Sequence, residues 1–426
     1  MEFFEIEGGI PLSGTVIPSG NKNAALPLLA ACLLTSEPVT LHNMPIIQDV
    51  LTMRALLETL GVKISEISPH SWRLQADEIT PAKLDKELCK NIRASILLAG
   101  PMAARYGRIE IPQPGGDIIG RRRLDTHFYA LEKLGIKKEL NQNFVFWQEK
   151  FHGADILLDE ASVTATENTI MAAVLAEGKT ILRNAASEPH VQDLCKFLNL
   201  LGANIDGIGS NRLVIEGVEN LKGGEFTISP DYLEVVSFIS AAVVTRGSIR
   251  IKNAGTEHLE MIRMTFNRLG VDWQSEEDDI IVPNQQTLEV VHDIGDAIPS
   301  INVMPWPAFP TDLMSIAIVV ATQSKGSVLF HNWMFNGRMF FTDKLVSMGA
   351  QIVLCDPHRC IVQGPTRLYG ETLESPDIRA GMAILLAALS AEGTSVIRNI
   401  QQIDRGYERV DEKLKNLGAR ISRTQI

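Results

Sequence analysis

Hydrophobic and polar positions define two kinds of helical segment that alternate along the chain. The first kind is apolar on every side, which is typical of a helix buried on all its faces. The second kind carries an apolar stripe at steps of three and four residues, as in Leu259, Ile262 and Phe266, and predicts an amphipathic helix with one wet face. The buried helices are predicted at Ala24–Leu34, Ala94–Ala104, Ile170–Ala176, Val235–Val244, Leu313–Ala321 and Ala380–Ala388.

This pattern occurs six times, with the order strand, helix, strand, helix, strand in each copy. In four copies a strand glycine is followed six residues later by an asparagine, as in Gly247 and Asn253. The amphipathic helix ends in Leu-Gly or Met-Gly, where glycine is a good C-cap because it accepts a left-handed conformation cheaply. Six long repeats predict a pseudo-symmetric molecule. The closing glycines are Gly61, Gly135, Gly202, Gly270, Gly349 and Gly418.

The length of the chain favours two domains. Its 426 residues exceed what one hydrophobic core usually serves, so the six α/β repeats divide as three and three. The predicted junctions lie near Gly20–Lys22 and Ser229–Asp231. One domain would then comprise residues 1–21 and 230–426, and the inserted domain residues 22–229, with a mobile loop over 112–123. The longest interruption, Asp272 to Pro310, is predicted to form a hairpin and a loop.

Charge and cysteine content restrict the class of partner. A net charge of −11 argues against a nucleic-acid or anionic-membrane partner. The five cysteines are scattered without metal-ligand spacing, which suits a reducing cytosol. The chain shows no signal-peptide pattern and no apolar run long enough to cross a bilayer. We therefore expect a cytoplasmic protein that needs no metal.

Polar residues collect where a strand leads into a buried helix. Helix N-termini present free N–H groups, so such positions suit anions. Asp231 and Asp377 fit either a helix cap or a place in a site, whereas Lys22, Arg93 and Arg379 are not explained by capping and favour ligand binding.

Two further segments combine glycine and arginine. Pro114–Arg123 is a glycine-rich loop that ends in three arginines, and Asp404–Arg409 lies at a strand-to-helix junction. Arginine suits phosphate and carboxylate groups. The chain lacks a Walker loop, a dinucleotide-binding glycine motif, a nucleophile elbow and a zinc-protease motif. These features predict an acid/base enzyme that acts on anionic substrates without a cofactor.

The motifs together resemble one enzyme family. Ser19–Ala25, Pro114–Gly116 followed by Arg122, Pro307–Asp312 and Asp404–Arg409 are similar to segments of the UDP-N-acetylglucosamine 1-carboxyvinyltransferases, and the resemblance covers essentially the whole chain. It implies the enolpyruvyl-transferase fold, with two inside-out α/β domains of three repeats each. It also implies the first committed step of peptidoglycan synthesis, with phosphoenolpyruvate and UDP-N-acetylglucosamine as substrates, in a monomer or weak oligomer.

The resemblance assigns roles by motif. Asp312 corresponds to the base that serves the sugar 3-hydroxyl, and Asp117 occupies the loop position of the proton donor, where most members carry cysteine. Lys22, Arg122 and Arg405 correspond to the phosphoenolpyruvate clamp. The other substrate-binding positions are Asn23, Arg93, Arg123, Leu124, Asp125, Thr126, Ser162, Val163, Thr164, Met334, Arg338 and Arg379.

Several residues depart from the usual family pattern on the acceptor side, namely Glu160, Thr164, Tyr232 and Asn336. Two alternatives therefore stay open: a transferase that uses another nucleotide sugar, and a non-catalytic paralogue that binds a nucleotide sugar. The epoxide fosfomycin inactivates the usual members of this family by alkylating their loop cysteine. Asp117 at this position therefore implies resistance to fosfomycin.

Overall fold

The structure, a computed structural model, describes residues 2–80, 83–116 and 123–425. In chain order the strands are β1 (Glu2–Glu7), β2 (Ser13–Val16), β3 (Val39–His42), β4 (Lys63–Ser68), β5 (Ser71–Gln75), β6 (Arg108–Pro112), β7 (Ile136–Leu140), β8 (Asn143–Gln148), β9 (Asp155–Leu157), β10 (Lys179–Arg183), β11 (Asn204–Asp206), β12 (Arg212–Glu216), β13 (Gly224–Thr227), β14 (Ser248–Ile251), β15 (Gln274–Glu276), β16 (Asp279–Val282), β17 (Ser300–Asn302), β18 (Gly326–His331), β19 (Gln351–Asp356), β20 (Arg359–Gly364), β21 (Thr372–Glu374), β22 (Thr394–Arg398) and β23 (Arg420–Gln425).

The α-helices are α1 (Lys22–Ala31), α2 (Gln48–Thr59), α3 (Lys86–Asn91), α4 (Ala99–Tyr106), α5 (Asp125–Lys133), α6 (Val163–Ala173), α7 (Pro189–Leu200), α8 (Tyr232–Val244), α9 (Glu260–Asn267), α10 (Met314–Ala321), α11 (Thr342–Ser347), α12 (Ile378–Ser390), α13 (Gln401–Asp404) and α14 (Val410–Asn416). Short 3₁₀ turns cover Cys32–Leu34, Arg93–Leu98, Thr256–His258 and Thr311–Leu313.

The described residues form two compact units, each with its own hydrophobic core. Unit 1 contains residues 2–19 and 230–425, and unit 2 contains the described residues of 20–116 and 123–229. The two cores share no residue, so each unit has its own set of buried apolar side chains, as a domain does.

Unit 1 is built around three helices that pack on one another, α8, α10 and α12. Every residue of α8 and α10 is buried, as the uniformly apolar sequence predicts. The three sheets have the strand orders β21-β22-β1-β23, β15-β16-β14-β2 and β17-β18-β20-β19.

In unit 2, α4 packs on α6, and α1 packs on the 3₁₀ turn Arg93–Leu98 that precedes α4. Two of its sheets have the orders β13-β3-β5-β4 and β11-β12-β10-β9, and the third, β6-β8-β7, has three strands. All five four-stranded sheets of the two units contain one parallel and two antiparallel pairs. This shared pairing confirms the predicted repeats and the α/β class.

The left-handed positions of the repeats agree with the sequence pattern. All six closing glycines have positive φ, from 74° at Gly270 to 106° at Gly349. Four repeat asparagines, Asn43, Asn184, Asn253 and Asn399, also have positive φ. Among non-glycine residues asparagine tolerates this conformation comparatively well, which explains its position at the end of the strand.

Three sequence predictions need correction. Most copies end in two antiparallel strands, not one, because the exposed outer face of β4 or β19 weakens the apolar alternation. The helix predicted over Ala94–Ala104 starts as the 3₁₀ turn Arg93–Leu98, since Pro101 cannot donate a backbone hydrogen bond. The helix predicted from Ile170 begins at Val163, because its first turns bury polar residues. The hairpin expected after Asp272 is confirmed as β15 and β16.

Candidate functional site

Asp312 of unit 1 lies between two arginines. Its carboxylate accepts a hydrogen bond from Arg338 Nη2 at 2.7 Å and one from Arg379 Nε at 3.3 Å. The 3₁₀ turn Thr311–Leu313 places Asp312 directly before α10. The structure therefore brings together three predicted residues from two repeats, Asp312 and Arg338 of the fifth and Arg379 of the sixth.

Arg379 stands in the first turn of α12, next to the cap of that helix. The Asp377 side chain caps α12 by accepting hydrogen bonds from Arg379 N at 2.8 Å and Ala380 N at 3.0 Å. Burial alone would lower the pKa of Arg379, but Asp312, Tyr407 and Asp231 together more than offset burial and raise the pKa. Arg379 is therefore a fixed cation in the interior of unit 1.

Tyr407 adds a buried hydroxyl to this cluster. Its oxygen lies 3.4 Å from Arg379 Nη1 and 3.0 Å from Ser237 Oγ. Burial raises the pKa of Tyr407, so the phenol is neutral and supports the Arg379 side chain. Ser237 carried no signal in the sequence, since it is one polar residue within the apolar α8.

Two further predicted residues of unit 1, Arg405 and Met334, make contacts within that unit. Arg405 donates a hydrogen bond from Nη1 to Gln402 Oε1 at 3.0 Å. Met334 is partly buried and packs against the core of unit 1. A small cavity is lined by Thr311, Met314, Ser315, Asn332, Arg338, Asp377 and Ala380.

Lys22 of unit 2 forms a buried ion pair. Its Nζ lies 2.6 Å from Asp49 Oδ2, and both side chains are less than a tenth exposed. Lys22 is the first residue of α1, which Asn21 caps by accepting a hydrogen bond from Ala24 N, and Asn23 follows in the same turn. The partner Asp49 was not predicted, since it sits in the first turn of the amphipathic α2.

Arg93 and Arg123 form a second cluster in unit 2. Arg93 Nη2 donates to the carbonyl oxygen of Arg123 at 3.1 Å. The Arg123 guanidinium contacts Asp125 at 3.1 Å and Asp159 at 2.9 Å. Asp159, which no sequence motif predicted, also accepts a hydrogen bond from Thr126 Oγ1 at 2.7 Å. The Thr126 hydrogen bond and then Arg123 lower the pKa of Asp159 and keep it ionised.

Ser162, Val163 and Thr164 form the start of α6. Ser162 occupies the N-cap position, but its side chain does not cap the helix. The first backbone hydrogen bond of α6 runs from Thr166 N to Ser162 O, so the N–H groups of residues 163–165 precede the helical ladder. Such groups suit an anionic ligand.

Not every predicted residue can be placed. Asp117 and Arg122 lie outside the described residues, whereas Leu124 is partly buried just before α5. Within the described ranges no cluster of three or more His, Cys, Asp and Glu side chains is arranged to hold a metal ion. The helices in the same ranges include none that is long and apolar enough to cross a membrane.

The sequence profile of the EPSP synthase (3-phosphoshikimate 1-carboxyvinyltransferase) family matches residues 6–414. The UDP-N-acetylglucosamine 1-carboxyvinyltransferase of Bradyrhizobium diazoefficiens is 56% identical over 418 residues, which cover 98% of this chain and 97% of that protein. The chain belongs to this family of carboxyvinyltransferases. The Treponema denticola enzyme of the same name is 53% identical and covers 99% of both chains.

Solved structures of carboxyvinyltransferase relatives confirm the predicted fold. The enolpyruvyl transferase NikO from Streptomyces tendae superposes with a TM-score of 0.88 at 24% identity, over 100% of this chain and 99% of NikO. EPSP synthase from Acinetobacter baumannii superposes with a TM-score of 0.78 at 16% identity, over 100% of both chains. At these identities the superpositions concern the enolpyruvyl-transferase fold alone.

Proposed function

We propose that this enzyme transfers the enolpyruvyl group of phosphoenolpyruvate to the 3-hydroxyl of UDP-N-acetylglucosamine and releases phosphate. The observation that carries the proposal is full-length identity above 50% to carboxyvinyltransferases named for this acceptor. The product would commit the nucleotide sugar to peptidoglycan synthesis. The described sites fit such substrates, because both units place cations at the starts of buried helices.

The reaction needs one base and one acid. Asp312 would take the proton of the sugar 3-hydroxyl as its oxygen attacks C2 of phosphoenolpyruvate, while Asp117 protonates C3. A C3 proton then leaves and the C2–O bond to phosphate breaks, which restores the double bond. The hydrogen bonds from Arg338 and Arg379 hold the Asp312 carboxylate in one orientation for this role.

The anionic substrates need cations at defined positions. Lys22, Arg122 and Arg405 would bind the phosphate and carboxylate of phosphoenolpyruvate, with Arg379 nearby. Lys22 is held by Asp49 at 2.6 Å, so its ammonium is positioned before the substrate arrives.

The nucleotide sugar would bind to unit 2. Arg93, Asn23, the segment 123–126 and the start of α6 supply guanidinium, amide, backbone N–H and hydroxyl donors. In unit 1 we assign Met334 and Arg338 to substrate binding. The network of Arg123, Asp125 and Asp159 fixes the segment that leads into α5 and so presents the side chain of Asp125.

The organisation of the protein follows from this reaction. We assign residues 1–21 and 230–426 to one domain and residues 22–229 to the other, and we place the enzyme in the cytoplasm with its nucleotide-sugar substrate. The two small-molecule substrates would be its partners, without nucleic acid or membrane, in a monomer or weak oligomer.

Phosphate release from phosphoenolpyruvate tests the proposal directly. We expect release with UDP-N-acetylglucosamine and much slower release with free N-acetylglucosamine or other UDP-sugars. Faster release with another UDP-sugar would instead support the alternative acceptor. Tight binding of UDP-N-acetylglucosamine without phosphate release, under conditions where a relative is active, would support a binding protein and contradict the proposal.

A further inference from the structure

His127 in α5 takes no part in the proposed chemistry, yet it is buried against the nucleotide-sugar segment of unit 2. Only 1% of its surface is exposed. Its Nε2 lies 3.0 Å from Thr164 Oγ1, and its Nδ1 lies 3.1 Å from Asn168 Nδ2. A buried imidazole between two polar side chains must have a defined tautomer.

The orientation of Asn168 determines that tautomer. The Gly100 N–H donates to Asn168 Oδ1 at 2.7 Å, and Asn168 Nδ2 donates to the Ile96 carbonyl at 2.7 Å. A backbone N–H can only donate and a carbonyl can only accept, so the amide cannot be flipped. Asn168 Nδ2 therefore donates its second hydrogen to His127 Nδ1, and the imidazole carries its proton on Nε2.

The close approach of α4 and α6 makes this arrangement rigid. A Cβ atom on Gly100 would lie 2.4 Å from the Asn168 carbonyl oxygen and 2.6 Å from its Oδ1. Burial, and then the charge of Arg93, lower the pKa of His127 to about 3, so the imidazole is neutral at physiological pH. A neutral ring with one donor nitrogen transmits a fixed hydrogen-bond direction.

The Thr164 hydroxyl accepts the hydrogen bond that this imidazole donates. His127 Nε2–H donates to Thr164 Oγ1, so the hydroxyl hydrogen must point away from the imidazole. Within the described ranges the Thr164 hydroxyl donates to no other residue, and the side chain is partly exposed in the first turn of α6. The hydroxyl is thus a pre-oriented donor beside the free N–H groups at residues 163–165.

We propose that His127 is a positioning residue that aims the Thr164 hydroxyl at a diphosphate oxygen of the nucleotide-sugar acceptor. This inference rests on the proposed function, which supplies the diphosphate. Diphosphate oxygens only accept hydrogen bonds, so they match a donor of fixed direction next to a helix N-terminus. This hydrogen bond would increase the affinity for the acceptor, whereas Asp312 and Asp117 would carry out the proton transfers.

The first experiment removes the hydroxyl and keeps the shape. We expect Thr164→Val to raise KM for UDP-N-acetylglucosamine about tenfold, the lower end for a hydrogen bond to a charged group. KM for phosphoenolpyruvate and kcat should change less than twofold, and Thr164→Ser, which keeps the hydroxyl, should stay near the wild type. An unchanged acceptor KM in Thr164→Val would overturn the proposal.

A double-mutant cycle separates positioning from a structural role. His127→Leu should raise the acceptor KM about threefold to fivefold in the wild-type background and not at all in the Thr164→Val background, because the hydroxyl to be aimed is gone. Equal effects of His127→Leu on the acceptor KM in both backgrounds would show that His127 does not act through the Thr164 hydroxyl. His127→Gln, whose amide can donate to Thr164, should restore a near-normal KM; if the leucine variant does not fold, this variant and the Thr164 pair still decide the question.

The outcomes also separate the inference from the proposed function. If the wild-type enzyme releases phosphate with UDP-N-acetylglucosamine but the effects of the His127 and Thr164 variants on KM are additive, the proposed function is supported and the positioning role of His127 is rejected. A wild-type enzyme that fails to use UDP-N-acetylglucosamine rejects both.

Discussion

At the scale of single residues, Asp312 shows how two partners can prepare one carboxylate. Arg338 and Arg379 reach it from two elements, the segment before α11 and the start of α12. Both arginines are less than an eighth exposed, so water competes weakly for their hydrogen bonds. The proposed base is therefore distant in the chain from both of these arginines.

Asp312→Asn tests that role. The amide keeps the shape and can still accept a hydrogen bond from Arg338, but it cannot take the hydroxyl proton. We expect kcat to fall by about 10²- to 10⁴-fold while the affinity for UDP-N-acetylglucosamine changes little. Phosphate release and calorimetric titration measure the two quantities. Turnover near the wild-type rate would remove Asp312 from the reaction.

The thiols lead to a prediction about fosfomycin. Four of the five cysteines are buried, and burial raises the pKa of Cys89 to about 11 and of Cys195 and Cys360 to about 12. Protonated thiols are poor nucleophiles toward an epoxide, and a carboxyl group at position 117 is poorer than a thiolate.

We therefore expect the active enzyme to resist fosfomycin and Asp117→Cys to become sensitive. Mass spectrometry after incubation with the drug and UDP-N-acetylglucosamine shows whether an adduct forms. An adduct on the unmodified enzyme, with parallel loss of activity, would contradict the prediction.

At the scale of elements, capping and function use neighbouring residues of the same helix. Asp231 and Asp377 both cap helices, since Asp231 accepts from Leu233 N at 2.9 Å and Asp377 caps α12. Capping does not exclude a place in the site, because Asp377 Oδ1 also lies 3.7 Å from Arg338 Nη1. The cations follow the caps: Lys22 comes after the cap Asn21, and Arg379 lies two residues after Asp377. The first turn of one helix thus carries both the cap that stabilises the helix and a cationic side chain that we propose binds the substrate.

The N-terminal segment of unit 1 is anchored at its last residue, Ser19, by a buried ion pair between α8 and α14. Glu234 accepts hydrogen bonds from Ser19 N at 2.7 Å and from Lys413 Nζ at 2.6 Å, and Lys413 also donates to Ser19 Oγ at 2.7 Å. Burial raises the pKa of Glu234 in spite of the lysine, so loss of Lys413 would leave a carboxyl that must be protonated to stay buried.

Lys413→Met should therefore destabilise unit 1 by about 2–3 kcal/mol, below the range for fully buried pairs because a fifth of Lys413 is exposed. The matched control is Arg420→Met, which breaks the exposed pair with Glu7 and should have no measurable effect. Urea denaturation of the full chain measures both. Equal stability of the two variants would show that the buried pair does not anchor this segment.

At the scale of the whole molecule, His127 makes stability depend on pH. Its pKa of about 3 in the folded protein lies below the ordinary histidine value of 6.5, so the unfolded chain binds more protons between these values and stability falls as pH decreases through this window. Between pH 7 and pH 5 the loss from this residue is about 2 kcal/mol.

His127→Gln should lack this loss. Urea denaturation of both proteins at pH 7 and pH 5 gives the difference in slope, and the opposite contribution of Glu167, whose pKa burial raises, cancels because it is present in both. Identical pH dependence of wild type and variant would mean that His127 is protonated in the folded protein.

The repeats, their closing glycines and the central helices can be predicted from the sequence alone, because these features depend on local periodicity and on the low cost of a left-handed glycine. The positions of Lys22, Asp312 and Arg379 at helix starts can be predicted in the same way. The side-chain contacts depend on the tertiary structure: Lys22 with Asp49, Asp312 with Arg338, and His127 with Thr164 and Asn168. Residues such as Asn168 and Glu167 interrupt the apolar pattern and so hid the first turns of α6. Buried polar residues are stabilised by partners that are distant in the chain, and periodicity along the chain carries no information about those partners.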